Sequence, residues 1–304
     1  MDPSRVVIAG CGFLGEAAAS LFSGSGPEVL GLCATQKTAA RLVGRRFEIR
    51  VADIAGSLAG VPTYWRNPDL LIHCASSGRG AAGAYRAVYR DGLSNLLEFF
   101  APRRAIFVGS TSVYSQETGE WVDERSPARP SRETGQILLD AETLALRAGG
   151  VVARLAGIYG PGRAAHLRKF LEGSAVLEAG GSRWVNQIHR DDAARALASL
   201  ADPATLPGIY NVCDDTPATQ REIYGWISGF FKKPLPPEGP RAPDRKRGWT
   251  SKRVSNAKMR ATGWAPRFVS FRQALPSLAG EASGALPGPL PPAWAGAPSR
   301  LSSP

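Results

Sequence analysis

Three glycines near the start of the chain follow the spacing Gly-x-Gly-x-x-Gly, between an apolar segment and an alanine-rich stretch. Gly10 permits a tight turn, Gly12 leaves no side chain in the path of a pyrophosphate, and Gly15 lets the next helix pack closely. Phe13 and Leu14 open that helix, whose first N–H groups bind phosphate oxygens. The pattern predicts a dinucleotide-binding loop, and the alternative is an ordinary strand-to-helix turn.

Strands alternate with helical stretches through the first half of the sequence. The apolar segments predicted as strands are 5–9, 28–32, 47–51, 70–74, 105–109 and 151–154. Helical patterning covers 16–22, 84–100 and 135–147. Several strands are apolar on both faces, as in a parallel sheet covered by helices on both sides. The expected fold is therefore α/β, with a Rossmann-like doubly wound parallel sheet.

The second half of the sequence changes character. Its predicted elements are helices at 164–171, 191–200 and 220–231, a strand at 209–212, and a hairpin around 179–181. These elements indicate a smaller C-terminal substrate lobe. The predicted organisation is a dinucleotide-binding domain at 1–160 whose sheet later segments complete, the lobe and returning elements at 161–280, and a mobile tail at 281–304.

No carboxylate follows the second predicted strand, where NAD-binding enzymes commonly place an Asp or Glu on the ribose 2′-hydroxyl. Thr35, Lys37 and Arg41 follow it instead. These side chains suit a 2′-phosphate, so the sequence favours NADP as the cofactor. The alternative is that Lys37 and Arg41 only solvate a helix face and that the cofactor is NAD.

The net charge, the apolar runs and the cysteines indicate where the protein is located and which partners and ligands it has. The formal net charge of the 304 residues is +11, but the arginines are scattered, so we expect a solvated surface and no nucleic-acid partner. No apolar run is long enough to span a bilayer and no leader precedes the first strand, so we expect a cytoplasmic protein without a membrane partner. Cys11, Cys33, Cys74 and Cys213 lack metal-ligand spacing and are expected to be small buried residues, neither disulfide-bonded nor metal-bound.

Eight short motifs follow one another along the chain. They are the glycine loop, Val51-Ala52-Asp53-Ile54, Leu71-Ile72-His73-Cys74-Ala75-Ser76, Gly92-Leu93-Ser94-Asn95-Leu96-Leu97, Ser110-Thr111-Ser112-Val113-Tyr114, Arg154-Leu155-Ala156-Gly157-Ile158-Tyr159-Gly160-Pro161-Gly162, Ile188-His189-Arg190-Asp191-Asp192 and Gly263-Trp264-Ala265-Pro266. In this order and spacing they make the chain resemble the NAD-dependent epimerase/dehydratase family of extended short-chain dehydrogenases/reductases, over nearly all of residues 5–279.

The resemblance implies roles for residues at two further strand ends. In the family the Asp of the Asp53-Ile54 pair usually binds the adenine edge. The segment Cys74-Ala75-Ser76 runs past the central phosphates and the ribose. Both segments lie at carboxyl ends of parallel strands, where an open sheet binds its ligands. The alternative role for Asp53 is that of a helix N-cap.

The acid–base pair of the family is missing. Family members usually carry Tyr-x-x-x-Lys on the helix after the fifth strand, where the Lys lowers the Tyr pKa and the phenol exchanges a proton with the substrate. An alignment on Glu142 places Thr134 at the Tyr position and Leu138 at the Lys position. Tyr89 replaces the Asn that commonly supports the pair, whereas Ser110, which matches the catalytic Ser, is retained. The resemblance is therefore to an atypical member.

Candidates for the missing acid are Tyr114, Tyr159, Glu133 and His189, and each has a structural alternative. Tyr114 belongs to a motif that usually packs, which favours a buried, hydrogen-bonded tyrosine. Glu133 suits the start of a helix, where an acid complements the macrodipole. His189 resembles a family histidine that is mostly architectural. Tyr159, from another motif, is included among the cofactor-binding residues with the same structural alternative.

Three functions follow as alternatives. The favoured one is an NAD(P)H-dependent reductase of an activated small molecule, with the proton supplied by water, Ser110 or a non-family residue. The second is a weakly catalytic NAD(P)-binding sensor or partner subunit. The third is a nucleotide-sugar epimerase or dehydratase, which must first oxidise an alcohol and therefore needs the missing base. Ser110 and a complete second lobe favour the reductase, and a homodimer is one option for its assembly.

Overall fold

Short runs of aliphatic and β-branched residues form the strands of the computed structural model, which describes residues 3–78, 80–241 and 249–282. The strands in these ranges are β1 (Arg5–Ala9), β2 (Glu28–Cys33), β3 (Glu48–Val51), β4 (Leu70–His73), β5 (Arg104–Ser110), β6 (Trp121–Val122), β7 (Val151–Leu155), β8 (Gly157–Tyr159), β9 (Leu177–Glu178), β10 (Trp184–Val185), β11 (Gln187–His189), β12 (Gly208–Val212), β13 (Ala218–Thr219), β14 (Glu238–Gly239) and β15 (Arg253–Val254). The six strands predicted in the first half are all present, with ends within one residue of the prediction.

Helices follow most of these strands. They are α1 (Phe13–Gly24), α2 (Gln36–Arg41), α3 (Ala82–Tyr85), α4 (Gly92–Phe100), α5 (Glu133–Arg147), α6 (Ala165–Leu171), α7 (Arg190–Ala201), α8 (Gln220–Phe231), α9 (Ala257–Arg260) and α10 (Phe271–Ala282). The single helix predicted over 84–100 is interrupted, because the π-helical stretch Arg86–Asp91 joins α3 to α4. We call this stretch the π segment.

Seven strands form one parallel sheet in the order β12-β7-β5-β4-β1-β2-β3. The order reverses at β1, because β2 and β3 extend to one side and the later strands to the other. The loops after β1 and β4 therefore open a crevice at the carboxyl ends of the strands. This arrangement confirms the Rossmann-like doubly wound sheet.

Successive side chains of β1 point to opposite faces of the sheet, and each face is covered by helices. Val6 and Ile8 pack into the cluster that includes α1 and α7. Val7 points to the opposite face, where it packs with Leu96 and Phe100 of α4. The helix α5 covers β5 and β7 on that second face. Each aliphatic side chain buried in this way contributes roughly 1.5–3 kcal/mol to folding.

A second apolar cluster lies in the C-terminal half. Phe170 of α6, Tyr224 of α8 and Phe271 of α10 are buried together. The helix α8 starts with a capping box, in which Thr219 and Glu222 satisfy each other's backbone N–H groups. These helices and the short strand pairs form a smaller lobe beside the sheet.

Part of the predicted lobe belongs to the sheet instead. The strand predicted at 209–212 is β12, which pairs with β7. The helix predicted at 191–200 is α7, which packs against α1. Small side chains make this close packing feasible, since Ala193 and Ala196 meet Ala18 and Ala19 in one buried cluster. Placing both elements in the lobe was therefore wrong.

The hairpin predicted around 179–181 is also wrong. The chain makes a 3-10 turn at Ala179–Gly181, and the strands on either side of it do not pair with each other. Instead β9 pairs with β14, and β10 pairs with β13. Gly180 and Gly181 both have positive φ, at 67° and 73°, and this backbone sends the two strands to different partners.

Cys11, Cys33 and Cys213 are buried, Cys74 is partly buried, and all four thiols are free. No group of three or more His, Cys, Asp or Glu that could hold a metal occurs within the described residues. No helix in that part of the chain is long and apolar enough to cross a bilayer.

The tail predicted at 281–304 starts in the last turn of α10, and from 283 onward it lies outside the described residues.

A buried ion pair joins α5 to the sheet. Arg154 Nη2 lies 2.6 Å from Glu142 Oε2, and the two side chains are only 4% and 3% exposed. The Arg154 guanidinium carbon also lies 4.9 Å from the centroid of the Tyr114 ring. The Tyr114 hydroxyl donates a hydrogen bond to Asn211 Oδ1 in β12, at 3.0 Å. The pair therefore links α5, β7, the loop after β5 and β12.

Replacing Arg154 by Met should lower the free energy of unfolding by about 3–5 kcal/mol, because the Glu142 carboxylate would stay buried without its cation. Chemical denaturation followed by circular dichroism measures this loss. Arg168→Met, which breaks the exposed Arg168–Glu172 pair of α6, is the control and should cost less than about 1 kcal/mol. Equal small losses for both variants would contradict the prediction.

Candidate functional site

The three glycines after β1 meet different steric constraints. Gly10 has a φ of +94°, and a Cβ on it would collide with the backbone of Ala75 in the loop after β4. A Cβ on Gly15 would collide with the carbonyl oxygen of Gly10. A Cβ on Gly12, in contrast, would meet no protein atom within 4 Å. The loop is closed on the protein side and open at Gly12, which is the shape that a pyrophosphate requires.

Backbone hydrogen bonds hold this loop against two neighbouring strands. The N–H groups of Gly10 and Cys11 donate to the carbonyl oxygen of Leu32, at 2.9 and 3.0 Å. The N–H of Cys74 donates to the carbonyl oxygen of Ala9, at 2.8 Å. The ends of β1, β2 and β4 are thereby fixed relative to one another, so the crevice is formed by rigid backbone.

Positive charge gathers at the start of α1. The helix begins after Gly12, so no side chain caps its first N–H groups. Leu14 is buried beneath the helix, and the guanidinium carbons of Arg163 and Arg190 lie 5.2 and 5.3 Å from the Phe13 ring centroid. A helix N-terminus beside two cations attracts an anion, although the charge of Arg190 is partly offset by Asp191, whose Oδ1 lies 2.8 Å from Arg190 Nε. Neither arginine was predicted as a site residue, because they follow β8 and β11, far from the glycine loop in sequence.

The loop after β4 lies beside the glycine loop, as its predicted role requires. Ser76 Oγ accepts hydrogen bonds from the Gly78 N–H at 3.3 Å and from the Tyr89 hydroxyl at 3.4 Å. Burial raises the pKa of the Cys74 thiol to about 12, so this thiol is neutral at physiological pH. Ala75 packs on Gly10. The contact of this segment with a cofactor stays a prediction.

Asp53 and Ile54 lie in the loop after β3. Asp53 is exposed, and its Oδ1 accepts the N–H of Ala55 at 3.0 Å within a turn. No helix follows, so the alternative of a helix N-cap is wrong. Ile54 is buried, and a Cβ on Gly92 of α4 would lie 3.0 Å from its side chain. The exposed Asp53 carboxylate is accessible to an adenine edge.

The residues after β2 form a cationic surface around one carboxylate. Thr35 caps α2 through its hydroxyl, and Lys37 is exposed. Arg41 and Arg45 both form ion pairs with Glu16 of α1, at 3.3 and 2.5 Å. Glu16 therefore offsets part of the positive charge that the sequence analysis assigned to a 2′-phosphate.

A cleft with a cavity volume of about 90 Å³ lies beside the first turns of α5. Tyr85 from the end of α3 lines this cleft, together with Trp249 and Thr250. Thr134 and Leu138, the residues aligned with the missing acid–base pair, both line the cleft from α5. The cleft therefore lies where the alignment expects the reacting group of a substrate.

Ser110 and Tyr114 flank this cleft without lining it. Ser110 is buried at the end of β5, and its Oγ accepts the N–H of Ser112 at 3.2 Å. Ser112 itself lines the cleft, although the sequence analysis did not single it out. Tyr114 is fully buried, and burial raises its pKa. Its hydroxyl donates to Asn211, which favours the packed alternative for this tyrosine.

Glu133, His189 and Tyr159 also lie outside the lining of the cleft. Glu133 is exposed and pairs with Arg86 of the π segment at 3.1 Å. His189 Nδ1 accepts the N–H of Asp191 at 3.3 Å and caps α7, and burial lowers the pKa of this imidazole. The Tyr159 hydroxyl is buried with no hydrogen-bond partner in the described chain, and burial raises its pKa. These surroundings favour the structural alternatives for Glu133 and His189, whereas Tyr159 is packed but lacks the hydrogen bond that its alternative includes.

Comparison with known proteins identifies the family of the chain. The sequence profile of the NAD dependent epimerase/dehydratase family matches residues 6–213. The chain belongs to this family. As a family member it is an NAD(P)-dependent oxidoreductase, and the open cradle at Gly12 fits such a cofactor. No curated protein sequence matches the chain. The loss of the acid–base pair in this family member stays a prediction.

Solved structures agree with the family and the fold. A protein of Methylobacillus flagellatus, described as an NAD-dependent epimerase/dehydratase, is 28% identical with a TM-score of 0.76, over 92% of this chain and 99% of that chain. A conserved protein of unknown function from Silicibacter pomeroyi is 23% identical with a TM-score of 0.72, over 93% and 99% of the two chains. The dTDP-glucose 4,6-dehydratase of Bacillus anthracis, solved with NAD, is 17% identical with a TM-score of 0.76, over 92% and 96%.

Gly12→Val should weaken dinucleotide binding by about 100-fold or more while the protein stays folded. The new side chain would occupy the open cradle, and a clash of about 3 kcal/mol corresponds to that loss. Calorimetry with NAD and NADP measures the dissociation constants. Gly24→Val, at the other end of α1 and equally open to space, is the control and should bind as the wild type does. Unchanged affinity in Gly12→Val would refute the cofactor site.

Proposed function

We propose that this family member is an NAD(P)H-dependent reductase of a small molecule that carries an activated carbonyl, iminium or conjugated alkene group. The composition of the cleft beside α5 carries the proposal. Thr134 and Leu138 line it at the positions of the family's Tyr and Lys. Neither a Thr hydroxyl nor a Leu side chain takes a proton from an alcohol at neutral pH, so alcohol oxidation lacks its base. Reduction of an activated acceptor needs no such base.

The glycine loop supports a dinucleotide as the source of reducing equivalents. Gly12 leaves space for the pyrophosphate, and the start of α1 with Arg163 and Arg190 supplies positive charge. Ser76 and Asp53 follow β4 and β3 at the same edge of the sheet, where the ribose and adenine of such a cofactor bind. The bound nicotinamide supplies a hydride.

The hydroxyl groups of the cleft support a polar acceptor. Ser112, Ser115 and Thr250 line the cleft together with the apolar rings of Tyr85 and Trp249. Hydroxyls near the acceptor oxygen stabilise the negative charge that develops there when hydride adds. The buried Ser110 at the end of β5 orders this wall, because its Oγ holds the backbone N–H of Ser112.

We further propose NADP as the preferred cofactor, since no carboxylate follows β2 and Lys37 is exposed beside Arg41. Replacing both cations by Ala should lower NADP affinity by about 10- to 100-fold and leave NAD affinity nearly unchanged, because a charge-assisted contact to phosphate is lost. Calorimetry with NAD and with NADP gives, for each cofactor, the ratio of the dissociation constants of the variant and the wild type.

The control for this experiment removes the same charge elsewhere. Arg168→Ala with Lys169→Ala takes two positive charges from α6 in the lobe, and it should leave both cofactor affinities unchanged. A wild type that prefers NAD, or a loss shared equally by NAD and NADP, would contradict the 2′-phosphate assignment. The second outcome would assign the effect to general electrostatic attraction.

The wild type should oxidise NADPH in the presence of an activated carbonyl, iminium or enone compound and should not oxidise nucleotide sugars at neutral pH. Ser110→Ala should lower turnover by about 10- to 1,000-fold, because loss of an oxyanion-type donor or of its support costs a few kcal/mol. Cofactor fluorescence across a compound panel measures turnover, and calorimetry confirms cofactor binding in parallel.

Two experimental outcomes would favour a different function over the proposed reductase. Tight cofactor binding without turnover on any compound would favour the sensor or partner subunit. Turnover of a nucleotide sugar would favour an epimerase or dehydratase and would show that the alignment of Thr134 and Leu138 is mistaken. Mass spectrometry of the purified protein, which identifies bound small molecules, narrows the compound panel beforehand.

A cytoplasmic location suits this activity. Cys11, Cys33, Cys74 and Cys213 are free thiols, and free thiols persist in reducing compartments. The reduced cofactor that a reductase needs is also held inside cells. Cell fractionation with an antibody to the protein checks this part of the proposal.

A further inference from the structure

Two segments reach the start of α1 from one small pair of parallel strands. The strands β8 and β11 pair in register, with Tyr159 beside His189 at their ends. The loop after β8 and the first residue of α7 therefore leave this pair at the same edge. A Cβ on Gly160 would lie 3.1 Å from Arg190 Cβ and 3.4 Å from Phe13 Cζ. Both segments thus pack against the first residue of the helix that follows the glycine loop.

A tight turn fixes the backbone of Arg163. The N–H of Gly160 donates to the carbonyl oxygen of Arg163 at 3.0 Å, and the N–H of Arg163 donates to the carbonyl oxygen of Gly160 at 2.9 Å. Pro161 has a restricted φ, and Gly162 has a φ of 69°, as the second and third residues of a type II turn require. Two hydrogen bonds close the turn, so the Arg163 side chain extends from a rigid backbone.

The side chains of Arg163 and Arg190 differ in their partners. Both guanidinium carbons lie near the Phe13 ring, at 5.2 and 5.3 Å from its centroid. Arg190 Nε donates to Asp191 Oδ1 at 2.8 Å, which offsets the charge of Arg190. Arg163 is exposed, and its guanidinium has no hydrogen bond or ion pair within residues 3–78, 80–241 and 249–282. Arg163 therefore offers N–H donors beside the start of α1.

We infer that the Arg163 guanidinium donates hydrogen bonds to the pyrophosphate of the cofactor, which the glycine loop holds on the other side. A planar guanidinium matches a pair of phosphate oxygens. The rigid turn and the contact with Phe13 limit the conformational freedom that Arg163 would lose on binding. NAD and NADP share this pyrophosphate, so Arg163 would serve both cofactors and would join the lobe to the sheet.

The inference concerns cofactor binding and does not require the proposed reduction. The alternative is that Arg163 only packs on Phe13 as a surface cation–π pair, without a ligand. Binding measurements separate the two, because a cation–π pair contributes to folding and not to cofactor affinity.

Arg163→Met tests the inference, because it keeps an unbranched side chain and removes every N–H donor of the guanidinium. Calorimetry with NAD, NADP and ADP-ribose, which all contain the pyrophosphate, should give dissociation constants about 10- to 100-fold above those of the wild type. The three losses should be similar. Arg163→Lys keeps the charge without the planar donors, so it should recover part of the affinity. Thermal unfolding followed by circular dichroism checks that the variants are folded.

Arg147→Met is the matched control. Arg147 is an exposed residue in the last turn of α5, shortly before β7 begins. The variant loses the same charge at the opposite edge of the sheet from the glycine loop, so its dissociation constants should equal those of the wild type. Stopped-flow fluorescence with NADPH gives the rate constants. Arg163→Met should raise the dissociation rate constant and leave the association rate constant nearly unchanged, because a direct contact is lost.

Four results would overturn the inference. Unchanged dissociation constants in Arg163→Met would show that Arg163 only packs on Phe13. A loss confined to the association rate constant, or shared by Arg147→Met, would assign the effect to long-range attraction. A loss with NAD and NADP but not with ADP-ribose would assign Arg163 to the nicotinamide half of the cofactor. A loss in Arg190→Met without one in Arg163→Met would assign the pyrophosphate contact to Arg190.

The remaining outcomes separate the inference from the proposed function. If the wild type binds all three ligands, loses affinity in Arg163→Met and reduces no compound in the panel, the reductase falls and the pyrophosphate contact stands. If the wild type binds none of the three ligands, the cofactor site and the contact both fall.

Discussion

The close approach of two backbone loops at the centre of the sheet is the constraint on which the site depends. The chain after β1 passes so near the chain after β4 that a Cβ on Gly10 would overlap the backbone of Ala75. This contact sets where α1 starts and where Ser76 lies. Since the loops are also bonded to β1 and β2, the crevice needs no ligand to form it. A preformed site binds its ligand at a smaller entropic cost.

Features that depend on residues close together in the chain were predictable from the sequence. The strands of the first half show as apolar runs, and the glycine loop shows as three glycines at fixed spacing. The place of β12 was not predictable in this way, because residues 209–212 resemble any short strand and only pairing with β7 makes them part of the sheet. The same holds for α7, whose alanines matter only because α1 presents alanines to them.

The site was predictable to the extent that its parts adjoin in sequence. The residues after β2 suggested a cationic pocket, but Glu16 of another helix offsets part of the charge. The cleft was missed because Tyr85, Thr134 and Trp249 come from three distant segments. Thr134 and Leu138 were noticed because they replace the expected Tyr and Lys of a motif, whereas nothing in the local sequence indicates that Tyr85 lines the same cleft.

The edge position of β12 makes the nucleotide-binding domain discontinuous along the chain. Its neighbour β7 consists of fully buried residues, Val151–Leu155. A fragment that ended near residue 160 would contain the glycine loop and six of the seven strands of the parallel sheet, yet it would leave β7 as an unpaired, largely apolar edge. Such edges pair with other chains and aggregate. The family profile, which runs to residue 213, ends just after the strand that protects this edge, so the shortest stable dinucleotide-binding unit must extend at least that far.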